Sequence, residues 1–201
     1  QPAVRVVQDP RRRGLGVSPG APSPHPRTVT EPPTLTRMSI PIVVIVPSRG
    51  RPGNVARLIN ALEATAPDVG LLVAVDDDDP ELENYLALPA EVRVGPRLRM
   101  NGTLNAAAAQ LVQEDAASII GFLGDDHRPE SPGWSKRIEE ELTVRFGGVG
   151  IVYGDDGIQG ERLPTQWAMT SDIVRALGRM VPAPVEHLYC DNAIRDLGEQ
   201  A

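Results

Sequence analysis

The stretch IPIVVIVPSRGRPGN, residues 40–54, sets an unbroken apolar run directly against a loop of proline, glycine and arginine. A run of Ile and Val without polar alternation reads as a strand buried on both faces, and such a strand needs helices above and below its sheet. The loop over residues 47–53 then leads to Asn54, which is expected to cap a helix reaching about Ala64. Val55, Leu58, Ile59 and Leu62 fall on one face of that helix. The same grammar repeats along the chain. LLVAV (71–75) is a second strand, closed by Asp76, Asp77, Asp78, Asp79 and Pro80. A short helix, a short strand near 92–94 and an alanine-rich helix over about 103–113 follow. SIIGFL (118–123) and GIVYG (150–154) supply two more strands. Alternation of this kind predicts an α/β fold with a mostly parallel, Rossmann-like central sheet flanked by helices.

The bulk numbers agree with one such domain. The 201 residues are 41% apolar but only 3% aromatic, so the core must be built from Val, Ile, Leu and Ala. A net charge of −7 argues against nucleic acid as a partner, because phosphate backbones are held by clustered Lys and Arg. The single cysteine, Cys190, excludes an internal disulfide and a cysteine-cluster zinc site, and fits a cytoplasmic setting. No apolar run approaches the ~20 residues of a membrane span. Residues 1–37 hold eight prolines, six arginines and only two acids, the composition of a disordered tail. The domain is expected over 38–201, from Met38, where the strand-like pattern begins.

In open α/β sheets ligands bind beyond the carboxyl ends of the strands. Three strands here end in polar groups: Ser48, Arg49 and Arg51 after the first, the aspartate run after the second, and Asp125, Asp126 and His127 after the third. Asp is common in turns, so the run 76–79 also reads as a solvated turn. Asp125 and Asp126 are more telling. Neighbouring carboxylates repel, and keeping both ionised at a strand end is favourable when a cation lies against them. A hard divalent ion meets that need, and Mg²⁺ completes its shell with water and substrate phosphates. The alternative counter-ion is Arg128. His127 is either a nitrogen ligand or a hydrogen-bonded loop histidine.

The order of these motifs resembles the family 2 glycosyltransferases, which have the GT-A nucleotide-sugar fold. The matching segments are IVVIVPSRGRP, LLVAVDDDD, RMNGTLNAA (99–107) and FLGDDH (122–127). The resemblance implies a metal-dependent transfer of sugar from a nucleoside-diphosphate sugar, UDP-, GDP- or dTDP-linked, to an acceptor hydroxyl, with inversion. Asp77 would meet the nucleobase, with Pro47, Ser48 and Arg49 lining the pocket. Arg51, Asp76, Arg99 and Asn105 belong to the same nucleotide-sugar site. Asp125 would lie near the ribose or metal, and Asp126 would bind Mn²⁺ or Mg²⁺.

The family's late catalytic carboxylate is matched by Asp191 in HLYCDNAIRDLG (187–198), the expected general base, with His187 as a candidate metal ligand. Trp167 is a candidate for stacking on an acceptor sugar. Two departures stand out: the motif is Asp-Asp-His, not Asp-x-Asp, and many relatives continue past the position of Ala201. The competing readings are an inactive nucleotide-sugar-binding module and a sugar-phosphate nucleotidyltransferase. The latter needs a lysine that the SRGRPGN loop lacks.

Overall fold

The computed structural model describes residues 5–7, 41–182 and 190–200. His187 and most of the proline-rich segment lie outside the described residues. The chain forms β1 (Arg5–Val7), β2 (Ile42–Ser48), α1 (Pro52–Thr65), β3 (Gly70–Asp76), α2 (Leu82–Leu86) and β4 (Glu91–Gly95). It continues through α3 (Arg99–Gln113), β5 (Ile119–Phe122), α4 (Trp134–Glu140), β6 (Ile151–Tyr153), β7 (Trp167–Thr170), α5 (Ser171–Leu177) and α6 (Cys190–Gln200).

One mixed sheet runs in the order β1-β6-β7-β5-β2-β3-β4. β2 pairs in parallel with both β3 and β5, and β3 with β4, while β7 lies antiparallel between β5 and β6. Five of the seven strands therefore point one way. β1 adds antiparallel to β6 through Val6↔Val152. The expectation of a mostly parallel α/β sheet holds. β7 (WAMT) was not expected, because four residues without alternation cannot be told from helix by pattern alone.

Strand alternation sends β2 to both faces. Ile45, with Leu72 and Ala74 of β3, packs against Leu104, Ala108 and Leu111 of α3. Val44 and Val46 turn the other way onto Leu58 and Leu62 of α1, and Val73 and Val75 onto Val55 and Ile59. Burying such side chains contributes roughly 1.5–3 kcal/mol each, which is why the uninterrupted apolar run specifies a central strand. α1 begins three residues earlier than the Asn54 cap implied. Arg51 is its N-cap and Pro52 opens the helix, since proline's fixed φ suits the first turn and its missing N–H is not needed there. Likewise α3 starts at Arg99, a turn before the alanine-rich stretch.

The chain steps from β2 to β3 to β4 in one direction and then returns through α3 to β5 on the other side of β2. The sheet thus reverses its winding between β2 and β5. β5 pairs with β2 only as far as Ile45, so beyond that point the two strand ends are unpaired with each other. A crevice at such a switch point is where open α/β sheets hold ligands.

Candidate active site at the β2–β5 switch point

Ser48 ends β2 on the face already occupied by Val44 and Val46, and its hydroxyl donates to Asp125 Oδ2 at 2.6 Å. Asp125 also receives the Arg51 guanidinium, with Nε 3.0 Å from Oδ2, and the Asn54 amide at 3.5 Å on Oδ1. Its side chain is only 1% exposed, whereas that of Arg51 is 57% exposed. Arg51 is therefore the cation paired with the inner of the two neighbouring aspartates, and the pair is split. Asp125 turns inward and Asp126 is exposed. The oxygens of Asp125, expected near the ribose or metal, are thus met by protein donors. Arg128 is not the counter-ion either; its Nη1 donates to the main-chain carbonyls of Asp125, at 2.9 Å, and of His127.

The rest of the 48–51 loop is tied to the aspartate run. Arg49 Nη1 reaches Asp76 Oδ2 at 2.9 Å and Asp78 Oδ1 at 2.5 Å, and the hydrogen bond from Arg49 holds the Asp78 carboxyl below its usual range. Gly50 N–H donates to Asp79 Oδ2 at 2.9 Å, while Asp79 Oδ1 accepts from Glu81 N–H at 2.8 Å. The four acids split by geometry: Asp76 and Asp79 are buried supports, and Asp77 and Asp78 are exposed. Asp77 N–H donates to Gly95 O at 2.7 Å, joining the ends of β3 and β4. Arg97 comes within 4.0 Å of Asp76. Arg99 is exposed and takes φ 59°, a left-handed conformation that an arginine adopts only under strain. Asp77, Arg99 and Asp126 thus follow β3, β4 and β5 at the same edge of the sheet. Pro47 is half-buried in β2.

A second group gathers around His127. Burial pushes its imidazole below the usual range, against the pull of Asp126, Asp156, Asp125 and Asp191 in that order. Asp156 lies in the β6–β7 loop and Asp191 in the first turn of α6. Gly124 N–H donates to His127 Nδ1 at 3.2 Å. A ring accepting at Nδ1 carries its proton on Nε2, the hydrogen-bonded loop role that the sequence set beside that of a nitrogen ligand. Asp191 Oδ1 accepts the Cys190 thiol at 2.9 Å.

Two expected residues have other occupations. Asn105 clamps the chain after α5, its Oδ1 accepting from Met180 N–H at 2.9 Å and Val181 N–H at 2.7 Å, and its Nδ2 donating to Val181 O at 3.1 Å. Trp167 is 3% exposed, with its ring centroid 4.4 Å from that of Phe122. It therefore packs as a core residue in β7, where the sequence suggested a polar loop. Sequence reading missed Tyr85 and Asp156. Only Tyr85 left a signal, as the sole aromatic in the first 121 residues.

Among the described residues no three His, Cys, Asp or Glu side chains form a metal cage. The donor set nevertheless fits an ion held jointly with a ligand. Asp126 Oδ1 lies over Gly124, where a Cβ would come within 2.8 Å of it, so the glycine makes room for that carboxylate. Mg²⁺-type ions take one or two carboxylates and fill the remaining positions with water and phosphate.

No family model matches the sequence, and no curated protein matches it. Solved structures do match in shape. The mannosyltransferase PcManGT from Pyrobaculum calidifontis, in complex with GDP-Man and Mn²⁺, has a TM-score of 0.57 at 12% identity, over 81% of this chain and 54% of that one. S. aureus TarS 1-349 gives 0.53 at 11% identity, over 79% and 55%. A cytidylyltransferase from Leptospira borgpetersenii serovar Hardjo-bovis gives 0.55 at 10% identity, over 81% and 72%. The chain spans about half the length of the first two. Its fold is GT-A-like, an α/β architecture similar to those of glycosyltransferases and of a nucleotidyltransferase. Among the described residues no helix is long and apolar enough to cross a membrane.

Proposed function

We propose that this chain, through a domain over residues 38–201, transfers a sugar from a nucleoside-diphosphate sugar to an acceptor hydroxyl. The observation that carries the reading is the Ser48–Asp125 contact at the switch point of a GT-A-like sheet, with exposed Asp126 next to it. Asp77 meets the nucleobase beside Pro47 and Arg49, while Arg51 and Arg99 face the diphosphate. Asp126 would hold Mn²⁺ or Mg²⁺, which when bound would supply positive charge against the diphosphate of the leaving nucleotide. Asp191 takes the proton from the acceptor hydroxyl as that oxygen bonds to the anomeric carbon. The bond from that carbon to the diphosphate breaks on the opposite face, so configuration inverts. His127 keeps the acidic end of β5 supplied with a neutral N–H donor. The single buried thiol fits a cytoplasmic site of action.

The cytidylyltransferase match favours one second reading, a nucleotidyl transfer from a nucleoside triphosphate to a sugar phosphate. Against it, the β2–α1 loop carries no lysine and is tied down by four aspartates.

The test is thermal unfolding with UDP-, GDP- and dTDP-sugars, each with and without Mn²⁺. A ligand at about 100 times its Kd adds roughly 2.7 kcal/mol of stability. One nucleotide class should stabilise the protein only with metal, and Asp126→Ala should abolish the gain. Stabilisation by CTP and a sugar phosphate, with none by nucleotide sugars, favours the second reading. Binding without transfer to any acceptor identifies a binding module.

A further inference from the structure

Tyr85 belongs to the five-residue helix α2, yet its hydroxyl bonds to nothing in that helix. It is fully buried, and its oxygen lies 2.7 Å from Ser48 Oγ and 2.8 Å from Arg51 N. The donors can be ordered. Arg51 N–H donates to Tyr85, and Ser48 uses its one proton on Asp125, so the tyrosine proton goes to Ser48. Asp125 Oδ2 then returns to the Arg51 guanidinium, 3.0 Å from Nε. The result is a closed ring that starts at the main chain of Arg51 and ends at its side chain. Hydrogen bonds in such a chain polarise one another, and each is stronger for being screened from water. Burial raises the phenol above its ordinary range, so it stays a donor at neutral pH.

We infer that Tyr85 is a positioning residue for ligand binding: through Ser48 and Asp125 it holds the exposed Arg51 guanidinium oriented before a nucleoside diphosphate arrives. The inference rests on the function proposed above. Arginine loses several rotatable degrees of freedom when it grips a phosphate, and fixing both its ends in advance removes part of that loss. Tyr85 touches no ligand itself. It acts from below the loop, where its ring packs beside Val55, Ile59, Val73 and Val75.

The experiment is calorimetric titration of the full chain with Mn²⁺ and UDP, GDP or dTDP. Tyr85→Phe, which keeps the ring, should weaken nucleotide binding about tenfold. Ser48→Ala should do the same, and the double variant should lose no more than about the worse single one, because both cut one ring. In an Arg51→Ala background Tyr85→Phe should have no further effect. An unchanged Kd in Tyr85→Phe overturns the inference while leaving the proposed function standing. So does an equal loss with Arg51 already removed, since a merely structural tyrosine would act regardless of Arg51. If the wild type binds none of UDP, GDP and dTDP with Mn²⁺, the proposed function fails and the inference falls with it.

Discussion

The Ser48 hydroxyl and the Asp125 carboxylate lie 2.6 Å apart although 77 residues separate them in the chain. Their contact bridges the two strands between which the sheet changes its winding. It also explains how Asp125 and Asp126 coexist: one is neutralised inside the protein by Arg51, and the other is left for solvent or a ligand.

The two aspartates should therefore respond oppositely to substitution. Asp125→Asn removes a buried acceptor of charge-assisted bonds and should lower stability by about 2 kcal/mol. Asp126→Asn should change stability by less than about 0.5 kcal/mol, as is usual at exposed positions, while removing metal-dependent nucleotide binding. Urea unfolding and ligand titration on both variants check the contrast.

Gly124→Ala should act on Asp126 without touching it. The new Cβ would fall 2.8 Å from Asp126 Oδ1 and 3.4 Å from the His127 ring, so the carboxylate must move. The expected outcome is a Mn²⁺ affinity reduced by about tenfold, a 1.4 kcal/mol effect. Thermal stability should be nearly unchanged. Mn²⁺ titration followed by electron paramagnetic resonance reads the difference.

Asn105→Ala should lower stability by about 2–3 kcal/mol, because two N–H donors and a carbonyl at residues 180–181 lose their partner at a half-buried position. Amide exchange at Met180 and Val181 should accelerate most. A loss of nucleotide affinity larger than the loss of stability would return Asn105 to the ligand site.

Asp156 supplies a pH signature. Desolvation pushes its carboxyl up, but the N–H groups of Ile158 and Gln159, the Thr165 hydroxyl and Gly160 N–H outweigh it and bring the value from 3.8 to about 2. Because the folded value is the lower one, the stability it contributes is present above pH 3.8 and lost as pH falls toward 2. Asp156→Asn should flatten that part of the acid-unfolding curve and cost about 1 kcal/mol at neutral pH, after allowance for solvent screening.

Cys190 should be inert in the native state. Burial, then the bond to Asp191, raises its thiol to about 12, and the side chain is 4% exposed. At pH 8 a thiol reagent should react only as fast as the protein unfolds, and the rate should rise with urea. Fast labelling in native buffer would show that α6 opens locally.

The sheet was legible because burial on two faces requires apolar residues at every position, and the runs at 42–46, 71–75 and 119–122 satisfy that on their own. The helix starts were less legible. Asn54 looks like a cap but lies in the first turn of α1, where Pro52 has already set the backbone, and its amide is directed at Asp125. Trp167 looked available because polar residues surround it in sequence, yet strand pairing buries it.

What the sequence determined by itself was the α/β class, the succession of strands and the gathering of charge at their carboxyl ends, since all three follow from local pattern and chain direction. Which charges face inward was decided only by the tertiary structure. Asp125 and Asp126, or Asp76 and Asp77, are the same residue type one position apart. Only the arrival of Arg51, Ser48 and Arg49 from another strand makes one of each pair a buried support and leaves its neighbour exposed.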